Sequence, residues 1–259
     1  MPARYDFDPR TFQGHLATSL VGRFLVYRVV VGSTMDIARR EAAEGAPHGT
    51  LVLAEEQTSG RGRKGRSFFS PRGENIYATF VLRLDVEQHR RLPMAVPLAV
   101  CRACEVFCPD ARIKWPNDIW IGGEKASGML IDAEFAGSEV IAYPGIGINV
   151  NGDPTVNPEL RGIATSLRRA SGRPVPREEL LARLCNELET WLEAPTQSLA
   201  REYRARNLLL GREILVHPPS GEPYPARATD VDADGALVVE LADGRREALR
   251  AAEVTVRPS

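Results

Sequence analysis

Apolar and polar positions follow two rhythms along this chain, and the switches between them mark most of its elements. Residues 24–31 form a β-branched run that predicts a strand. Ser33-Thr34 predict the start of a helix, with Asp36 three residues after Ser33 as in a capping box, and Gly45 predicts its end. Residues 50–55 read as a second strand, followed by a polar, glycine-rich loop over residues 57–67. Across residues 75–84 the set Ile76, Ala78, Phe80 and Leu82 falls on one face with period two, a half-buried strand. Residues 92–107 carry a mostly apolar helical pattern. Several short strands follow over residues 113–149, broken by turns at Gly122-Gly123 and Pro144-Gly145. Residues 178–192 form an amphipathic helix (Leu180, Leu181, Leu184, Leu188, Trp191, Leu192), and a further helix ends near Leu210.

Strands separated by tight turns, with helices between them, predict an α+β fold: a mixed, largely antiparallel sheet with helices packed to one side. Beyond Gly211 the pattern changes to short strands with turns at Pro218-Pro219, Asp234-Gly235 and Asp243-Gly244, a small β-barrel. The expected division is residues 1–210 for the unit that carries the chemistry and residues 211–259 for the barrel. With 259 residues, 43% of them hydrophobic, the chain has enough apolar surface for a large core. A net charge of −1 gives no general attraction to nucleic acid or an anionic membrane, so any anion site has to be local. The polar N-terminus lacks the apolar run of a signal peptide, and no stretch approaches about 20 apolar residues, so a soluble, cytoplasmic protein is expected. Cys101, Cys104 and Cys108 resemble part of an iron–sulfur run. They fall on one face of the helical pattern, and core packing is the stronger reading.

Residues 60–66, Gly-Arg-Gly-Arg-Lys-Gly-Arg, interleave four cations with three glycines. The glycines let the backbone approach a ligand, and guanidinium forks match phosphate or carboxylate oxygens. The match to G-x-G-x-x-G is weak, because a strand rather than a helix follows. A solvated basic turn and a nucleic-acid contact are the rival readings of this loop. A second constellation is Lys114-Trp115-Pro116-Asn117-Asp118, with Lys125 seven residues after Asp118 and then Gly128. Turns at Pro116 and at Gly122-Gly123 form a hairpin that brings Asp118 and Lys125 together at one end of the sheet. They read either as a turn aspartate and a surface lysine, or as a metal-binding acid beside a cation for a carboxylate.

Taken in order, these motifs resemble the biotin protein ligase family. The G-R-G-R-x-G-R loop is followed by Phe68-Phe69 and Ser70-Pro71; K-W-P-N-D is followed by Lys125, Gly128, Met129, Leu130, Asp132 and Glu134; and G-x-G-x-N-V is present as residues 145–150. Ser33-Thr34 and Gln57 also match, and the resemblance covers roughly residues 24–256. It implies a class II synthetase-like catalytic domain with an SH3-like C-terminal barrel. The implied activity is ATP-dependent formation of biotinyl-5′-AMP, then transfer of biotin to a lysine of a biotin carboxyl carrier protein. It implies that Ser33, Thr34, Gln57, Gly60, Arg61, Gly62 and Arg63 hold the ureido ring and chain of biotin. Phe68, Gly128, Leu130 and Gly145 wall its apolar body, and Lys125 binds its carboxylate. Arg63, Arg66 and Lys114 meet the nucleotide, while Asn117, Asp118 and Asn149 help place Mg2+ and the adenine nucleotide. Lys125, Arg63 and Asp118 are the implied catalytic residues, with Asp118 the implied Mg2+ ligand.

The family usually has Asn after Ser-Thr, where this chain has Met35, and many members have Trp where Phe68 stands. About 22 residues precede the first strand, fewer than the DNA-binding winged helix of some members needs, so no DNA partner is expected; a homodimer is compatible with the resemblance. Lipoate protein ligase is the sister reading, but its R-R-x-S-G-G-G element has no counterpart here. A biotin sensor and an RNA-binding module are the readings from other classes.

Overall fold

Alternate residues of the strands at 50–57 and 76–85 are apolar on both faces, and the chain covers both. The structure, a computed structural model, describes residues 7–218, 220–250 and 255–258. In chain order the elements are α1 (Pro9–His15), β1 (Leu25–Val31), α2 (Thr34–Ala43), β2 (Thr50–Gln57), β3 (Ile76–Asp85) and α3 (Val86–Glu105). Next come β4 (Arg112–Lys114), β5 (Asp118–Ile121), β6 (Glu124–Ala136), β7 (Glu139–Ile148), α4 (Leu167–Ser171), α5 (Arg177–Glu193) and α6 (Thr196–Arg206). The last are β8 (Glu213–His217), β9 (Tyr224–Val231), β10 (Leu237–Glu240), β11 (Arg246–Leu249) and β12 (Thr255–Pro258).

Strands β1 to β7 form one sheet in the order β1-β2-β3-β7-β6-β5-β4, in which only the β1–β2 pair is parallel. This is the mixed, largely antiparallel sheet expected from the sequence. Leu51, Leu53, Phe80 and Leu82 join the buried residues of α3, α5 and α6 in the main core. On the opposite face Val26, Val52, Val81 and Tyr143 meet Ala38 and Ala42 of α2. The expectation of helices to one side is therefore corrected: Val52 and Val81 are apolar too, and α2 buries them.

Two further expectations change, and one element is new. The helix expected from residue 92 begins at Val86, where Asp85 and Gln88 form a reciprocal capping box. The charged turn before Leu92 hid that start. Pro144-Gly145 is not a turn: β7 runs through it, and the hairpin reverses after Ala136 instead. Pro144 has no N–H to donate, and the ladder to β3 lapses there, between the Thr79–Gly145 and Leu82–Ala142 pairs. Helix α1 had no counterpart in the sequence reading; Asp8 caps it, Pro9 opens it, and Phe12 is its buried anchor.

Strands β8 to β12 form the expected small C-terminal β unit, antiparallel in the order β11-β10-β9-β8-β12. The expected turn at Pro218-Pro219 reaches Pro219, which lies outside the described residues. Ile214, Val216, Ala226, Val231 and Val239 belong to the same apolar cluster as the main sheet. Trp115, 1% exposed, donates from Nε1 to the carbonyl of Gly235 at 2.9 Å, which ties the two sheets together. Cys101, Cys104 and Cys108 lie in the core as free thiols, and burial pushes Cys101 up to about 12. Among the described residues no helix is long and apolar enough to cross a membrane.

Candidate active site

The face of the sheet beyond α2 is stripped of side chains by three glycines. Gly128 of β6 pairs with Gly147 of β7, and Leu130 pairs with Gly145, so the three lie together on neighbouring strands. Other side chains occupy the space above them. A Cβ on Gly147 would lie 2.5 Å from two ring carbons of Phe68. One on Gly128 would meet Lys125 Nζ at 2.7 Å, and one on Gly145 would meet Met35 Sδ at 3.0 Å. The result is an apolar floor with a cation at one end, and no larger residue fits at Gly147 without moving Phe68. Leu130 is half-buried beside it.

A polar network closes the other end. Ser33 caps α2 by accepting from the Met35 N–H at 3.3 Å. Gln57 Oε1 accepts from both the N–H and the hydroxyl of Thr34, at 2.9 and 3.1 Å, and the Thr34 hydroxyl also meets that of Thr79 at 2.8 Å. Gln57 Nε2 donates to Ser70 Oγ at 3.2 Å. The capping box expected between Ser33 and Asp36 is corrected, because Asp36 turns outward to Arg61 at 2.6 Å and to Arg39 at 3.8 Å. An ion pair with Arg61 of the glycine-rich loop has replaced the reciprocal backbone bond.

The loop of residues 60–70 folds back on itself over this floor. Arg61 bridges Ser67, the Gly62 N–H donates to the Arg66 carbonyl at 2.7 Å, and the Phe68 N–H donates to Gly60 at 2.9 Å. Gly60 is buried, and a Cβ there would lie 2.6 Å from the Phe68 carbonyl oxygen. At its tip Lys64 sits in the left-handed region with φ 56°, where a non-glycine residue is uncommon.

Charge gathers at the β4–β5–β6 end. Strand pairing sets Lys114 opposite Asp118 and Asp118 opposite Gly128. Lys125 Nζ reaches Asp118 Oδ1 at 2.7 Å, the juxtaposition expected from the hairpin. Asn117 accepts the Met129 N–H at 2.9 Å and donates from its amide to the Met129 carbonyl, which locks the turn against β6. From the loop, Arg63 Nη1 donates to Asn117 Oδ1 at 3.3 Å. Burial lowers the Arg63 pKa, Asp118 acts against that, and Arg66 adds to the lowering. A guanidinium remains charged regardless. Lys114 stacks its ammonium over the Trp120 ring, 4.8 Å from the centroid. Asn149 is buried one strand away, where its amide donates to the Thr165 carbonyl at 3.0 Å and holds residues 164–167 to the sheet.

Arg63, Asn117, Asp118 and Lys125 thus converge, and Thr34, Gln57 and Gly60 form the opposite end. Arg61 faces α2, and Arg66 lies near enough to act on Arg63. Thr79, Ser70 and Met35 complete the pocket although sequence reasoning assigned them no site role. Thr79 could have been found, since it shares its strand face with Tyr77 and Val81; Ser70 carries no such signal. Chemically, one carboxylate faces several cations beside an apolar glycine floor covered by Phe68 and Met35, an arrangement suited to a ligand with an apolar body and more than one anionic group.

Known proteins resemble this chain along most of its length. The profile of the biotin/lipoate A/B protein ligase family matches residues 27–151, and that of the biotin protein ligase C-terminal domain matches residues 209–257. The bifunctional ligase/repressor BirA of Bacillus spizizenii is 34% identical over 241 residues, covering 88% of this chain and 73% of that protein. This chain belongs to the biotin protein ligase family. The biotin–[acetyl-CoA-carboxylase] ligase of Mycobacterium tuberculosis is also 34% identical, over 86% of this chain and 85% of its own. Among solved structures, the biotin protein ligase of Aquifex aeolicus in complex with biotin and ATP superposes with a TM-score of 0.76 at 26% identity, covering 92% of this chain and 100% of that one. Against the family pattern, Met35 is a buried packing residue on Gly145 and takes no polar part at that position.

Proposed function

We propose that this protein joins biotin to a lysine of a biotin carboxyl carrier domain, such as that of an acetyl-CoA carboxylase, in two steps driven by MgATP. The observation that carries the reading is Lys125, held by Asp118 over the Gly128 step at the end of the glycine floor. In the first step a biotin carboxylate oxygen attacks the α-phosphorus of ATP and pyrophosphate leaves. Both reactants are anions, so positioned cations are needed to bring them together and to stabilise the charge that builds on the phosphate. Lys125 takes the carboxylate, Arg63 covers the adenylate, and Arg66 and Lys114 take phosphate oxygens. In the second step the carrier amine attacks the acyl carbon, loses a proton, and AMP leaves.

The floor between Phe68, Leu130 and Gly145 takes the apolar body of biotin, with Gly128 below its carboxylate end. Thr34, Ser33, Gln57 and the backbone of residues 60–63 face its ureido ring. Asn117, Asp118 and Asn149 are assigned to the nucleotide. Magnesium enters with ATP, and its role is to neutralise phosphate charge; Mg2+ keeps several waters and uses one or two carboxylates together with substrate phosphates. Asp118 beside Asn117 fits that donor set. The lid of residues 60–70 keeps water from the mixed anhydride. Isothermal titration of biotin against lipoate, followed by pyrophosphate exchange with each, tests the assignment. Biotin binding with biotin-dependent exchange supports it, and a preference for lipoate or no exchange overturns it.

A further inference from the structure

The lid returns to the sheet through residues 68–75, and a buried polar chain fixes that return arm. Asn75, 4% exposed, accepts at Oδ1 from the N–H groups of Val150 at 2.8 Å and Gly152 at 3.2 Å. Two backbone donors on one oxygen settle which end of the amide is which, so Nδ2 is the end that faces Tyr77. It donates to Tyr77 Oη at 3.0 Å. An amide nitrogen can only donate, so the Tyr77 hydroxyl proton is left to point elsewhere, and it donates to the Pro71 carbonyl at 2.9 Å. Burial pushes the Tyr77 phenol upward, which keeps that proton in place. Its ring, fully buried and opposite Gly147 in the sheet, meets Phe68 edge-on with centroids 6.4 Å apart and planes at 74°.

We propose that Tyr77 is a positioning residue for the lid, its hydroxyl fixing the return arm at Pro71 and its ring edge seating Phe68 over Gly147. Tyr77 touches no reacting atom; it acts through the two residues it holds. Through Asn75 it also ties the lid to the segment that follows β7, so the floor and its cover are anchored at one point. The consequence for catalysis rests on the reading above, in which the lid retains biotinyl-5′-AMP.

The test is Tyr77→Phe in the full chain, which keeps the ring and removes both hydrogen bonds of the hydroxyl, the one given to Pro71 and the one taken from Asn75 Nδ2. Without ligands, trypsin cutting between residues 61 and 66 should quicken about fivefold, the factor ordinarily associated with one neutral hydrogen bond, here the bond to Pro71 that reaches the lid, while cutting elsewhere is unchanged. With biotin and MgATP but no carrier, release of biotinyl-5′-AMP into solution should rise by a similar factor, with the KM for ATP within twofold of the parent. Tyr77→Leu, which also loses the ring edge, should in addition raise the KM for biotin. Lid cutting and adenylate retention in Tyr77→Phe equal to the parent's overturn the inference, as does faster cutting spread over the whole chain, which marks a structural role only. If the parent forms no adenylate, the proposed function fails, and the ligand-free trypsin comparison still decides the role of Tyr77.

Discussion

Gly147→Ala isolates the fit between the glycine floor and Phe68. The added methyl would sit 2.5 Å from the Phe68 ring carbons, whereas carbon atoms rest at about 3.5–4.0 Å, so the ring has to move by about 1 Å. It cannot slide freely, because the Phe68 N–H is bonded to Gly60 at 2.9 Å and the ring abuts Tyr77. In the free protein the loop can relieve the clash by lifting the ring off the floor, and seating it again for biotin then carries the overpacking cost of about 1–3 kcal/mol. At 1.4 kcal/mol per tenfold, biotin affinity should fall by roughly 5- to 150-fold. Global stability should change much less. Gly147 lies in extended backbone that alanine also adopts, and the stiffer unfolded chain returns about 0.4–1 kcal/mol. Titration calorimetry with biotin, beside thermal unfolding, reads both. Phe68→Ala in the same chain removes the clash, so the two substitutions should be strongly non-additive. Biotin affinity within twofold of the parent, or additive effects in the pair, would refute the account of the floor.

Lys125→Ala should keep the fold, since the side chain is a third exposed, and should lower biotin-dependent pyrophosphate exchange by about 100-fold or more; near-normal exchange contradicts its role. Arg177→Met should destabilise the protein by about 3–5 kcal/mol in urea unfolding, because Glu55, 1% exposed and paired with Arg177 at 2.8 Å, is left as an uncompensated buried charge. A loss under about 1 kcal/mol would show that Tyr27 and the Phe7 N–H, which also bond Glu55, suffice to satisfy it. Trypsin should cut the free protein between residues 61 and 66, where Arg61, Lys64 and Arg66 are exposed, and biotin with MgATP should protect it; equal rates with and without ligands argue against a lid.

The sequence carried those parts of the fold and site that depend on local pattern. A β-branched run located β1, residues 50–55 read as the strand β2, period-two alternation located β3, and the turn at Pro116 with Gly122-Gly123 was enough to bring Lys125 to Asp118. Glycine at 128, 145 and 147 was visible as motif, but what fills the space above came from elsewhere: Phe68 from the lid and Met35 from α2. Pro144-Gly145 misled because its local signal is that of a turn, whereas the long β6–β7 pairing overrides it and leaves only a gap in the ladder. Residues 52 and 81 looked like ordinary strand positions, and only the packing of α2 revealed a second apolar face. Glu55 and Arg177 are 122 residues apart, and Asn75 reaches Val150 across 75. Long-range polar pairs of this kind leave no periodicity, so nothing in a single sequence announces them.

In the proposed reaction, residues converging on Lys125 and Asp118 transfer biotin from an adenylate to a carrier lysine. Mass spectrometry of a biotin carboxyl carrier domain, after incubation with this protein, biotin and MgATP, tests it most directly. The account predicts a mass increase of one biotinyl group, on a single lysine, that requires both biotin and ATP and is lost with Lys125→Ala. An unmodified carrier, or equal modification by the Lys125→Ala protein, would contradict it.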